Sequence, residues 1–181
     1  FLKKKVGWTK NAPLLSDILT CPEEYRVAIE NYLEPYLNYY IVVHESEAYE
    51  AINILSDASK GKANFFILDS FERLQPSNIS IYSNAFPATQ IIEFDTKFSK
   101  LMSFILDRVY IIDGDIKSVP ADDPNVFLSK SGKYTRRSFS LSGGSVGLFE
   151  GKKIGRAKNL EKLDKEIKEL NKKVEEVRTS L

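Results

Sequence analysis

The sequence predicts a mixed α/β fold of the α+β class, in which a body of two related sub-domains is followed by one long helix. Three observations support this prediction. Apolar residues recur at helical spacing in some segments and form short unbroken runs in others. A helix followed by a strand occurs twice, about 73 residues apart. A regular heptad of apolar residues fills the end of the chain.

The first half of the chain alternates helical and strand patterns. Pro22 opens the first helix, where its missing N–H costs little, and Ser46 and Gly61 are the expected cap and stop of the second. The predicted elements are a helix over 23–37, a strand over 39–43, a helix over 46–60 and a strand over 63–68.

The second half repeats this alternation after an irregular stretch, residues 69–89, which is rich in Pro and Asn and marks a connection between sub-domains. Thr96 is the expected cap of a third helix. Strands are predicted over 109–112, 126–128 and 134–141, with a turn at Ser131-Gly132. The predicted boundaries are 1–6 for the end of an incoming coiled-coil helix, 7–85 and 86–151 for the two sub-domains, and 152–181 for an outgoing coiled-coil helix.

The C-terminal segment has a narrow apolar seam, because the remaining positions are nearly all charged or polar. A seam this narrow favours another helix as partner over a broad core. An ordinary amphipathic terminal helix is the alternative. The seam consists of Leu160, Leu163, Ile167, Leu170, Val174, Val177 and Leu181.

Composition excludes several classes of protein. Of the 181 residues, 43% are apolar, which excludes a wholly disordered chain. Cys21 is the only cysteine and His44 the only histidine, so neither an internal disulfide nor a structural zinc site can form, and a cytoplasmic protein is expected. The longest apolar runs have about five residues, so no membrane partner is expected. Because the chain begins at Phe1 without Met, it is expected to be a piece of a longer protein.

The net charge of +1 is a cancellation between an acidic body and a basic tail. Residues 1–151 hold 16 basic and 19 acidic side chains, whereas residues 152–181 hold 10 basic and 6 acidic ones. A uniformly basic nucleic-acid-binding domain is therefore excluded, but a basic patch at the start of the last helix is not. Ordinary solvated charge is the alternative reading of that patch.

No catalytic or cofactor motif is complete. The glycine-rich stretch before Lys152 falls one residue short of a P-loop and lacks its Ser or Thr, and the acidic loop from Asp113 does not match an EF-hand. No nucleophile and acid accompany His44 in a recognisable pattern. We therefore expect no enzyme activity and no cofactor. The glycines, interrupted by apolar residues, instead indicate a site where two backbones approach closely.

The order of these features resembles the hinge domain of SMC (structural maintenance of chromosomes) proteins. Residues 15–19 and 22–30 resemble the opening of that domain, and residues 40–43 continue it. Residues 142–147 resemble its closing glycine motif, and Gly155-Arg156 resembles the re-entry into the coiled coil. The likeness covers about residues 7–181.

The resemblance implies a homodimer formed by joining sheet edges, with two coiled-coil arms leaving from one face and the ATPase in distant head domains. The glycine motif would then let two backbones meet, at Gly143, Gly144, Ser145 and Gly147. The protein would be associated with the nucleoid, in chromosome condensation and segregation.

The resemblance also implies contact with DNA, single-stranded in particular, near the junction of hinge and coil. The basic residues there are Lys152, Lys153, Arg156, Lys158, Arg136 and Arg137. Two alternatives stay open: a module whose main task is DNA binding, and a small α/β enzyme with a coiled-coil tail.

Overall fold

The computed structural model describes Leu2, Gly7, residues 11–144 and residues 153–179. The helices are α1 (Leu15–Ile18), α2 (Glu23–Leu33), α3 (Glu45–Asp57), α4 (Ser99–Ile105) and α5 (Arg156–Thr179). The strands are β1 (Leu19–Thr20), β2 (Tyr40–Val42), β3 (Phe65–Ile67), β4 (Ala85–Pro87), β5 (Glu93–Phe94), β6 (Val109–Ile112), β7 (Val126–Ser129), β8 (Tyr134–Arg137) and β9 (Ser140–Gly143).

The predicted mixture of helices and strands is confirmed, but four local predictions were wrong. Gly61, the expected stop of the second helix, lies beyond its end, because α3 ends at Asp57 and Ala58 caps it. His44, not Ser46, precedes α3, and the Glu47 carboxylate accepts the His44 amide at 2.9 Å. Asp95, not Thr96, caps the helical segment before α4, because its carboxylate accepts the Lys97 amide at 3.0 Å. A carboxylate satisfies these free N–H groups more strongly than a hydroxyl does.

The strand predicted over 134–141 is two strands, β8 and β9, which form an antiparallel hairpin. The chain reverses at Phe139, which takes a left-handed backbone conformation with φ 55°. Its amide donates to the carbonyl of Ala121 at 2.7 Å, so the turn is tied to a neighbouring loop. Alternation alone could not locate this reversal, because no Gly, Pro or Asn stands there.

A five-stranded sheet of order β4-β6-β7-β8-β9 forms one half of the body, and a smaller sheet of β2 and β3 lies in the other half. Strands β6 and β7 are parallel, as are β2 and β3, while the other pairs are antiparallel. Strand β6 is buried along its whole length. The five-stranded sheet therefore has core on both faces of its centre.

The two halves repeat the same topology. In the first half, Leu14 forms an antiparallel bridge with β2. In the second half, Pro87 of β4 likewise pairs antiparallel with β6. In each half, a helix leads to a strand that has a parallel neighbour. Strands β1 and β5 occupy equivalent places and pair with each other, with Thr20 opposite Glu93, a separation of 73 residues. The two halves thus share one order of elements, as the repeat predicted from the sequence requires.

One hydrophobic core joins the two halves. It contains Leu15 and Ile29 from the first half and Met102 and Leu128 from the second, each fully buried. Ile154, just before α5, lies in the same core with 1% of its surface exposed. A second cluster fills the opposite face of the five-stranded sheet, around Tyr110 and Phe127.

Helix α5 projects its apolar seam into solvent. Leu160, Leu163, Ile167, Leu170 and Val174 are each about half exposed, between 49% and 61%. Ion pairs one helical turn apart, such as Lys168 with Asp164, stabilise the helix along its length. The side chain of Val177 and all of Leu181 lie outside the described residues. No described helix is long and apolar enough to span a membrane.

Candidate functional site

Strand β9 forms a free edge of the large sheet. It pairs with β8 on one side, and no other described strand lies beside it. All four of its residues are exposed, and Phe139 in the preceding turn is 82% exposed. An exposed edge strand presents unpaired N–H and C=O groups, so it is a surface on which another strand can pair.

The two glycines at the end of this edge have different roles. A Cβ on Gly143 would collide with the carbonyl oxygen of Lys133 in the neighbouring strand segment and lie 3.0 Å from the Tyr134 ring. Gly143 is therefore required by packing within one chain. A Cβ on Gly144 would meet nothing within 4 Å, so the space beside it is open. Ser145 and Gly147, expected in the same site, lie outside the described residues.

The β7–β8 turn packs against helix α2 beside this edge. Gly132 has φ +75°, and a Cβ there would lie 2.6 Å from Val27 and 3.0 Å from the Ala28 amide. Its carbonyl oxygen accepts a hydrogen bond from the Asn31 side chain at 3.1 Å. Glycine is needed here both for the left-handed φ and for the close approach of the helix.

The start of α5 is attached to the first half of the body, although the chain reaches it from β9 in the second. One oxygen of the Glu30 carboxylate accepts the amides of Lys153 at 2.6 Å and Ile154 at 2.7 Å. The Gly155 amide donates to the Ser16 carbonyl at 3.2 Å. Glu30 is 3% exposed, so its charge is buried and is stabilised by these charge-assisted bonds.

The described basic residues that were expected to contact DNA do not form one cluster. The Lys153 ammonium pairs with Glu34 at 3.1 Å, on the last turn of α2. Arg137 lines a polar cavity of about 250 Å³ with Glu34, and its guanidinium lies 5.6 Å from the centre of the Tyr32 ring. Glu34 thus pairs with Lys153 and lines the same cavity as Arg137, beside the free sheet edge.

Lys158 belongs to another cavity, of about 320 Å³, between the start of α5 and the β1–α2 connection, where Arg26 and Glu93 also lie. The Nε of Arg136 is buried and has no hydrogen-bond partner within the described ranges, so that part of its side chain faces the protein interior. Lys152 and the side chain of Arg156 lie outside the described residues.

Burial changes the pKa of two side chains in the first half of the body, Cys21 and Tyr32. Burial raises the pKa of the Cys21 thiol to about 11, although the nearby Arg26 guanidinium acts in the opposite direction. Burial also raises the pKa of the Tyr32 phenol, whose O–H donates to the Ile105 carbonyl at 3.0 Å. Both groups are therefore uncharged at neutral pH and act in packing.

Sequence reasoning missed the acidic residues of this site. Arg26, Glu30 and Glu34 follow one another at four-residue spacing, so they form one charged line along α2. That line was visible in the sequence. The partner of this line, Lys153, could not be recognised from the sequence, because it lies 123 residues further along the chain than Glu30. Within the described part of the chain, no three His, Cys, Asp or Glu side chains are grouped as metal ligands would be.

These features correspond to a known family. The family model described as "SMC proteins Flexible Hinge Domain" matches residues 10–114, more than half of the chain. The chain therefore belongs to the SMC hinge domain family.

Relatives and solved structures agree with this assignment. The chromosome partition protein Smc of Chlorobaculum tepidum is 26% identical over 185 residues, a match that covers 100% of this chain and 16% of that protein. The chain thus spans less than a fifth of the length of this relative. An asymmetric dimer of the Geobacillus stearothermophilus SMC hinge domain has a TM-score of 0.70 at 18% identity, covering 96% of this chain and 75% of that one. The Pyrococcus furiosus SMC hinge domain has a TM-score of 0.61 at 25% identity, covering 75% and 74%.

Proposed function

We propose that this chain is the dimerisation hinge of an SMC chromosome condensation and segregation protein, and that two copies join through the edge of β9. The exposed, unpaired edge of β9 is the observation that carries this proposal. The open space beside Gly144 supports it, because a second backbone can approach there without meeting a side chain. The Geobacillus stearothermophilus hinge, which has the same fold, is a dimer by its description.

The substitution Gly144→Val tests the role of this edge. A branched side chain would fill the space that a second backbone needs, so we expect sedimentation to show mostly monomer at concentrations where the parent is a dimer. Gly7→Val is the matched control, since a Cβ on Gly7 also meets nothing within 4 Å. A parent chain that is monomeric at micromolar concentration, or a Gly144→Val variant that remains fully dimeric, contradicts the proposal.

In the full protein, the hinge would join two coiled-coil arms, and the half-exposed seam of α5 supports this part. Residues 1–6 are proposed to end the incoming arm. Leu2 packs with Ala51 and Leu55 of α3. The pairing of residues 1–6 with α5 therefore stays a prediction. ATP hydrolysis is assigned to head domains outside this chain, and the protein is proposed to act at the nucleoid in the cytoplasm.

DNA contact at the root of α5 is the second part of the proposal, and the grouping of Lys153 with Arg137 beside the sheet edge favours it. Phosphates would compete with Glu34 for the Lys153 ammonium and would attract the Arg137 guanidinium. Lys153→Glu together with Arg137→Glu should weaken binding of a fluorescent single-stranded oligonucleotide at least about tenfold at low salt, with the dimer unchanged. Lys168→Glu with Lys172→Glu, further along α5, is the control of equal charge, and equal losses in both variants would refute a site at the root.

A further inference from the structure

The buried carboxylate of Glu30 plays no part in the dimer contact or the DNA contact proposed above, yet it accepts two hydrogen bonds at the start of α5. A carboxylate is costly to bury and is retained where it holds specific donors. Two of its donors are backbone amides of consecutive residues, Lys153 and Ile154. A side chain that binds two consecutive amides fixes the conformation of that backbone segment and also its position in the fold.

Further contacts around Glu30 make this attachment rigid. Ile154 inserts its side chain into the shared core, and Gly155 takes φ +70° directly before α5 begins. A Cβ on Gly155 would lie 3.5 Å from Thr20. Residues 153–155 therefore bond to α1 and α2 and lie beside the end of β1, all of them in the first half of the body.

We propose that Glu30 sets the direction in which α5 leaves the body, and that it does so by fixing α5 to the first half of the repeat. The covalent connection runs from β9 in the second half, but the hydrogen-bond partners of residues 153–155 lie in the first. A rotation of α5 is thus transmitted to α2 through Glu30. This inference is independent of dimerisation, because every contact it uses lies within one chain.

Glu34 provides the matched control, since it lies one turn further along the same helix and contacts the same residue. It pairs with the Lys153 side chain, and it is 68% exposed, whereas Glu30 is buried and holds the backbone. An exposed ion pair contributes little to geometry. Replacing Glu34 should therefore leave the direction of α5 unchanged.

Pulsed electron-paramagnetic-resonance distances between nitroxides at Lys62→Cys and Glu169→Cys, in a Cys21→Ala background, report the direction of α5. Both label sites are exposed. Dilution with unlabelled protein removes distances between copies. The parent and the Glu34→Gln variant should give one narrow distribution, and Glu30→Ala a broad or shifted one, with the helix content of α5 retained by circular dichroism.

Amide hydrogen exchange distinguishes positioning from general stability. In Glu30→Ala the amides of Lys153 and Ile154 should exchange at least about tenfold faster relative to the Leu128 amide in β7, whereas a purely stabilising role would accelerate all three together. If Glu30→Ala does not fold, Glu30→Gln is compared in the same two measurements. An unchanged distance distribution together with unchanged relative exchange at 153 and 154 overturns the proposal.

Discussion

At the scale of single residues, His44 and Asp69 form the clearest titratable pair in the chain. The imidazole Nδ1 lies 2.6 Å from the Asp69 carboxylate, and both side chains are at least half exposed. The hydrogen bond to Asp69, followed by its charge, raises the pKa of His44 above the ordinary value of 6.5. Because the folded pKa is raised, the pair stabilises the fold fully below pH 6.5, and this contribution is lost as the pH rises through the folded pKa.

The first prediction concerns this pair. His44 is the only histidine, so its imidazole signals are unambiguous in a two-dimensional NMR titration. We expect a midpoint above 6.5 in the parent chain and a midpoint close to 6.5 in Asp69→Asn. The difference in unfolding free energy between the two should be larger at pH 5.5 than at pH 8.5. A parent midpoint at or below 6.5 would show that the pair does not form in solution.

A second residue-scale result corrects the meaning of the glycine motif. Both glycines were expected to make room for a second chain, but Gly143 is required by its own hairpin, where the Lys133 carbonyl lies against it. Only Gly144 has open space beside it. A loss of dimer in a Gly143 variant would therefore be ambiguous, because the hairpin itself would be disturbed.

At the scale of elements, the hairpin of β8 and β9 gives the second prediction. Gly143→Ala should destabilise the chain by about 1–3 kcal/mol, because the added Cβ meets backbone that cannot move freely. Urea denaturation at several protein concentrations measures the effect. The loss should be independent of concentration, because the clash lies within one chain, whereas any loss in Gly144→Ala should shrink as the protein is diluted and the dimer dissociates. Equal stability of Gly143→Ala and the parent would contradict the packing described.

Most elements could be predicted from the sequence, because local patterns specify them. The stripe of α2 and the run of β6 each bury one consistent set of side chains, and the heptad of α5 places one apolar seam along a solvent-exposed helix. The split between β8 and β9 could not be predicted, since the reversal at Phe139 depends on a hydrogen bond to Ala121. The same holds for Glu30, whose partners come from a distant part of the chain.

At the scale of the whole molecule, the shared core gives the third prediction. The largest of the described apolar clusters contains residues from both halves, so each half loses much of its core without the other. Met102→Ala, at a fully buried position in α4, should cost about 2–5 kcal/mol. Urea unfolding is monitored by NMR. We expect the amides of β2 and β6 to lose their protection from hydrogen exchange in one shared transition. Two separate transitions would mean that the halves unfold independently.

The pairing of β1 with β5 has a consequence for which halves can join. At the centre of this joint, Thr20 donates its hydroxyl hydrogen to the Glu93 carboxylate at 3.4 Å. Equivalent positions thus hold different residues, a donor on one side and an acceptor on the other. Two copies of the second half would place two carboxylates opposite each other, which is unfavourable. This residue pair therefore favours the joining of one first half with one second half over the joining of two second halves.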